Sequence, residues 1–182
     1  MLWAHANGFV TPLIFRENPI SFTLLMLLIP AFRDLHFYLT HRFLHIPFVY
    51  KHVHRLHHYN TNPGPWSGLA MHPIEHLLYF SGVLIHFLIP AHPIHILFQL
   101  VHAGLSPAAG HSGFDKIIID EIDNRNHIDT HAYTHYLHHK HFECNYANGI
   151  IPLDKWFGTF NDGSPEAHSA TRQLRKQRHK IA

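Results

Sequence analysis

Four groups of histidines recur along this chain at spacings a helix would turn to one side. HRFLH places His41 and His45 at i and i+4, and HRLHH places His54, His57 and His58 at offsets 0, 3 and 4. HPIEH carries His72 and His76, and HYLHH repeats the second spacing with His135, His138 and His139. On an α-helix each set shares one face, one turn apart. His127 and His131 extend the last face upstream, and His111 stands in a GHSG turn. A neutral imidazole is a good ligand for iron, zinc, copper or nickel. Segments that each offer two or three rings could therefore surround a two-metal site. Such a site would be rich in nitrogen and poor in carboxylate. It differs from the ferritin-like di-iron pattern, which needs paired Glu-x-x-His motifs, and no such pair occurs here. A single H-x-x-x-H is a weak signal, but two H-x-x-H-H segments with H-x-x-x-H upstream are a strong one. The histidines outside these groups, among them His36, His86, His95 and His102, are expected to pack or to face solvent.

Carboxylates near the rings could fix their tautomers. Asp34, seven residues before His41, falls on the same helical face and is expected to accept from a ligand ring; Glu75 and Asp115 are further candidates. Cys144 lies close to the last cluster, but a lone thiol is expected to be inert packing. As the only cysteine, it also excludes an intrachain disulfide framework and a cysteine zinc finger.

The elements that must position the rings are greasy. Histidines number 23 and charged residues make up 14%, well below the ~25% usual for soluble domains. The net charge of +2 argues against a nucleic-acid partner. Residues 18–32 carry no Asp, Glu, Lys or Arg, yet fall short of the ~20 residues a spanning helix needs. They can extend only through Arg33 and Asp34, and Pro30 should bend a helix there. From His76 to Phe114 there is again no such charge. Leu77–Ile89 and Ile94–Leu105 each rise only about 20 Å as helices, against roughly 30 Å of hydrocarbon. With Pro90 and Pro93 between them, the pattern favours a kinked hairpin that dips into a membrane and returns. The spacing predicts helices at Pro19–Leu44, Val49–Tyr59, Pro73–Ile89, Ile94–Leu105 and about Thr130–His139. The basic end RQLRKQRHK reads as a solvated, frayed tail, with a composition that would suit anionic head groups. The fold class expected is all-α: one domain over residues 1–182, an integral membrane helical bundle with a cytosol-facing, histidine-rich helical cap.

RDLHFYLTHRFLH, KHVHRLHH, MHPIEH, GHSGFD, HYLHHKHFECNYANG and DKWFGTF, in this order and spacing, resemble the fatty acid hydroxylase/sterol desaturase superfamily. The resemblance runs from about residue 31 to 163. It implies a multi-pass membrane enzyme with a dimetal centre on the cytoplasmic face. Its implied ligands are His41 and His45, then His54, His57 and His58, then His135, His138 and His139, with His111 as a further one and His72 as a less certain one. It implies two iron ions (zinc could occupy the site in isolated protein), dioxygen as cosubstrate and a fatty acyl, sterol or sphingoid substrate. Relatives usually carry more membrane helices before the first cluster, where this chain has about 30 residues. They often have Asn-Tyr-Gly after the last cluster, where this chain has Ala147.

The expected reaction is hydroxylation of a lipid C–H bond; desaturation at the same site differs only in the fate of one radical. No G-x-G-x-x-G, P-loop or cysteine set for an iron–sulfur cluster is present. Electrons are therefore expected from a partner such as cytochrome b5, ferredoxin or a flavin reductase. Two other classes are weaker. A metal transporter would line a membrane path with histidine, whereas the best clusters lie outside the apolar segments. A zinc hydrolase would need about three protein ligands, and H-E-x-x-H is missing. Trp66, Tyr79, Trp156 and Phe157 are expected to pack or anchor at an interface.

Overall fold

The computed structural model of this chain describes residues 1–119 and 127–181. A short α1 (Leu2–Ala6) leads to a strand-like segment in which Pro12 pairs with Ala91. Pro19 then opens α2 (Pro19–Leu44) from its first turn, where its missing N–H costs nothing. α2 has the predicted bounds and reaches a spanning length by continuing through the two charges. It runs through Pro30, Arg33 and Asp34 as one helix of 26 residues, roughly 39 Å at the usual rise. The two charges are tolerated because they are buried and paired. Arg33 Nη1 reaches Asp34 Oδ1 (3.4 Å) and donates to the Asn148 carbonyl (3.2 Å); Nη2 donates to the Tyr79 hydroxyl (2.9 Å). Asp34 Oδ2 accepts from the Ile150 amide (2.7 Å). Among the described residues, α2 is the one helix long and apolar enough to cross a membrane.

The predicted helix Val49–Tyr59 is two pieces. α3 (Pro47–His52) ends at Val53, whose backbone (φ −123°, ψ −61°) leaves the α region, and His54–Tyr59 continues as a 3-10 helix. A second 3-10 helix, Pro65–Leu69, lies against the later α5. Gly68 permits that approach: a Cβ there would sit 2.6 Å from the Pro107 carbonyl carbon.

α4 (Pro73–Phe80) passes into 3-10 helix at Ser81–Phe87, and α5 (Pro93–Gly110) returns beside it. The expected hairpin forms, with its turn at the predicted prolines. That turn is pinned by Leu13 and Thr11, which exchange backbone hydrogen bonds with Ala91. A two-stranded antiparallel hairpin, β1 (Lys116–Ile118) with β2 (His127–Asp129), pairs Ile117 with Ile128. It was not expected, since strands of three residues are too short to show alternation. α6 (Ala132–His141), α7 (Leu153–Trp156) and α8 (Pro165–Ile181) complete the chain. The basic end, expected to fray, forms the last turns of α8; its side chains at 174, 175 and 177–181 lie outside the described ones.

The apolar core is modest. One cluster is Ala4, Val10, Val83, Ala91 and Ile96; another is Tyr38, Tyr146 and Leu153. Much of the remaining interior is imidazole.

Candidate metal centre

Nine of the ten histidines proposed as ligands converge in two buried groups. In the first, His41, His45, His54, His58 and His138 each bring one ring nitrogen within 4.8 Å of the others. In the second, His57, His111, His135 and His139 do the same. α2 delivers His41 and caps its end with His45; α5 ends on His111; the 3-10 helix His54–Tyr59 and α6 deliver the rest. Each H-x-x-H-H segment divides between the groups. His54 and His58 join the first while His57 joins the second; His135 and His139 join the second while His138 crosses to the first. In both segments the rings at i and i+3 stack, centroids 5.4 Å apart for His54 and His57 and 5.7 Å for His135 and His138, so the split holds in 3-10 and α-helix alike.

The outer nitrogens fix the inner ones. Nδ1 of His41 donates to the Tyr146 carbonyl (2.7 Å), of His57 to Ala70 (3.3 Å), of His138 to Cys144 (2.6 Å) and of His139 to Asn60 (3.0 Å). His54 Nδ1 meets Glu75 Oε1 (2.8 Å). His111 Nδ1 meets Ser67 Oγ (2.9 Å), whose proton already goes to the Gly64 carbonyl, so the ring is the donor. A carbonyl only accepts, and a neutral ring has one proton. Nε2 of His41, His57, His111, His138 and His139 is therefore a bare lone pair aimed inward; at His54 the partner is a carboxyl that burial pushes up to about 8, which can donate as well as accept. Inside the groups, Nε2 atoms face one another: His45 to His138 at 3.1 Å, His58 to His54 at 3.0 Å, His111 to His135 at 2.8 Å and His139 to His135 at 3.2 Å. Converging lone pairs repel unless a cation sits among them. At the 2.0–2.1 Å usual for a metal–imidazole bond, two nitrogens on one ion lie about 3–4 Å apart, so these donors fit a transition metal in each group.

Burial holds the rings neutral. It lowers His57 to about 4, His111 to about 3 and His139 to about 2, with neighbouring imidazoles adding to the effect on the last two. His45, His54, His58, His135 and His138 also lie well below the ordinary imidazole value, for burial first and mutual repulsion second. Neutral imidazole is the ligand form.

Other expectations are redistributed. His72 joins neither group; its Nδ1 accepts from the Ile74 amide (3.2 Å) and caps α4. Asp34 does not orient a ligand ring: it binds Ile150 and Arg33, and the Tyr146 carbonyl serves His41 instead. Asp115 accepts from the Tyr133 amide, whereas Glu75 does meet a ring. The carbonyl acceptors had no signal in the sequence, since every residue carries one. Burial pushes the Cys144 thiol up to about 12, so it stays protonated and serves through its carbonyl. Position 147 does not require glycine, for the positive backbone angle nearby belongs to Asn145 (φ 52°). Gly149 is needed instead, because a Cβ there would run into the Asp34 carboxyl.

A narrow cavity reaches both groups between Phe37, Met71, Glu75, Tyr79 and Asn148, with about 20 Å³ open to the centre of a water-sized sphere. That is room for a molecule the size of water or dioxygen, since a single water needs about 10–15 Å³ by this measure.

The sequence profile of the fatty acid hydroxylase family matches residues 25–159, a span that holds every ring of both groups. This chain belongs to the fatty acid hydroxylase family. It is similar to a Delta(7)-sterol 5(6)-desaturase of Gibberella zeae (31% identical over 153 residues, 81% of this chain and 46% of that one). A Delta(7)-sterol 5(6)-desaturase of Leptosphaeria maculans is 32% identical over 139 residues, 75% of this chain and 36% of the other. Methylsterol monooxygenase 1 of Rattus norvegicus is 30% identical over 142 residues, 76% and 46% respectively. The chain thus spans less than half the length of these curated relatives. No solved structure gives a significant match. For this fatty acid hydroxylase family member, the two imidazole groups therefore stand on their own geometry.

Proposed function

We propose that this chain forms the metal-holding part of a membrane-bound dimetal oxygenase that hydroxylates a lipid C–H bond with dioxygen and external electrons. The observation that carries this reading is the convergence of nine neutral imidazoles, eight buried and His45 half-buried, on two adjacent foci. Two iron ions, when bound, would supply the activation of dioxygen. The chain's own part is to hold them with these nine rings, to fix ring orientation through carbonyls and Glu75, and to limit water by burial. Zinc would compete for the same nitrogens, since divalent affinity does not favour iron.

A membrane location is supported by the outer faces of the helices. Ile20, Leu24, Leu27 and Leu39 on α2, with Leu77, Leu84, Leu88 and Leu105 on the hairpin, are exposed. Contiguous apolar surface of that kind suits a bilayer. Multi-pass topology and a metal site on the cytoplasmic face, next to a soluble electron donor such as cytochrome b5, ferredoxin or a flavin reductase, complete the reading. The sterol-directed names among the relatives favour a sterol over a fatty acyl or sphingoid lipid, and the desaturases among them favour a second outcome, a double bond formed at the same site.

The test is anaerobic iron loading of the membrane-embedded chain, followed by oxygen uptake with a reductant and lipid present. Lipid products made under isotopically labelled dioxygen separate the outcomes. A labelled alcohol supports hydroxylation, and an unlabelled alkene supports desaturation. Iron bound without any lipid product would leave only a metal-binding role and sink the proposal.

A further inference from the structure

Tyr146 occupies a position that ring orientation alone does not require. Its side chain is fully buried, at 0% exposure. The ring lies against three rings of the first group: centroids 5.0 Å from His45, 5.4 Å from His138 and 5.9 Å from His41. Its hydroxyl donates to Glu143 Oε2 (3.1 Å), and that carboxylate is only half-buried. Arg42 stands over the ring at 4.8 Å and donates to the hydroxyl of Tyr38 (3.3 Å). Tyr38 stacks in turn on the exposed ring of Phe157 at 5.6 Å. A phenol packed against rings of the first group, its O–H donating to a carboxylate that can take the proton, is built to lose an electron and a proton together. From it a packed path continues through the Arg42 guanidinium and Tyr38 to Phe157 at the surface.

We propose that Tyr146 is a redox relay, which gives one electron to the oxidised metal pair when no lipid C–H bond is in place. The relay rests on the dimetal oxygenase reading. In the forward step the phenol loses one electron to the metal pair through the His45 and His138 rings. Its O–H bond breaks, the proton passes to Glu143 Oε2, and a neutral phenoxyl radical remains. In the return step the external one-electron donor that the oxygenase already needs reduces the phenoxyl, and Glu143 gives the proton back. The net change is one electron moved from donor to metals with no proton lost. The rings are the groups at risk if an oxidant is formed without substrate, and Tyr146 and Tyr50 each lie against three of the first group. Tyr50 approaches His45 (5.5 Å), His58 (5.7 Å) and His54 (6.1 Å) but is only half-buried, whereas Tyr146 is fully buried and closer to its nearest ring.

The experiment uses the full chain in lipid nanodiscs, loaded anaerobically with iron, then mixed with dioxygen and limiting reductant in the absence of substrate. Freeze-quench electron paramagnetic resonance should show a phenoxyl signal whose hyperfine pattern collapses when the tyrosines carry deuterated rings. Tyr146→Phe, which keeps the packing and removes only the hydroxyl, should lose the signal. Tyr50→Phe should keep it, and Glu143→Gln should slow its appearance. In Tyr146→Phe, peptide mass spectrometry should also find more oxidised histidine in the first group after repeated turnover. Oxygen uptake without any phenoxyl, or a signal that survives Tyr146→Phe, overturns the relay alone. Iron-loaded wild type that takes up no oxygen overturns the relay together with the oxygenase reading beneath it.

Discussion

At the scale of single residues, the centre depends on which nitrogen each ring turns inward. His57→Ala and His138→Ala each remove one inward nitrogen, from different groups, and each is expected to lower bound metal and abolish lipid oxidation. Metal analysis and lipid product analysis of the two variants check this; retention of both properties by both variants would defeat the ligand assignment. Glu75→Leu should act more gently. It removes the carboxyl that meets His54 Nδ1, and loss of such an outer partner typically costs about 10–100-fold in metal affinity, read by competition with a chromophoric chelator. The residue types and spacing disclosed eight of these rings, because helical periodicity is a local property; His111 came only from the family resemblance. His72 shared that periodicity and caps a helix instead. Nothing local separates a ring that caps from one that ligates. The acceptors for His41, His57, His138 and His139 were equally invisible, being main-chain carbonyls brought close only by the fold.

Among the elements, the close contacts set the predictions. Gly68→Ala would place a methyl 2.6 Å from Pro107 backbone carbon, which cannot yield as a flexible side chain would. Overpacking of this kind costs about 1–3 kcal/mol. A lowered thermal midpoint with the metals bound is expected, and an unchanged one would mean that α5 can move away. Leu27 is exposed on α2; if α2 lies in a bilayer, Leu27→Arg should cost about 2.5–3.5 kcal/mol of insertion. Fractionation of cells between membrane and soluble pools measures that. The prolines and apolar runs announced α2, the hairpin and α5 well. They gave the bounds of α2 through Arg33 and Asp34, but not the partners Asn148, Ile150 and Tyr79 that let those charges be buried, because these are distant in sequence. The 3-10 stretches at His54–Tyr59 and Ser81–Phe87 were read as α-helix, because a periodicity of 3.6 residues does not separate the two over so few turns.

For the whole molecule, burying so many neutral imidazoles makes the fold sensitive to acid. The folded values for His57, His111 and His139 are depressed to about 4, 3 and 2. The unfolded chain takes up protons at these rings near pH 6.5, while the folded chain does not. Stability from these groups is thus present above about pH 6.5 and is lost as pH falls toward the folded values. Each ring loses about 1.4 kcal/mol per pH unit, so the three together lose roughly 4. Against a usual total of about 5–15 kcal/mol, the metal-free protein should unfold within a few pH units of acidification, followed by circular dichroism. Metal should shift that transition to lower pH, since it stabilises only the folded form. Insensitivity of the metal-free protein to pH between 6.5 and 4 would contradict the burial of these rings.

The division of both H-x-x-H-H segments has a consequence for how the ions come and go. The foci share two of the segments that hold them: the 3-10 helix His54–Tyr59 and α6 each straddle the two. Extracting one ion frees rings on the very segments that grip its neighbour, and binding to such a site is coupled to the order of the backbone that presents it. A sample at half its nominal metal content should therefore be a mixture of doubly filled and bare molecules, with few singly filled ones. Native mass spectrometry would count those populations directly.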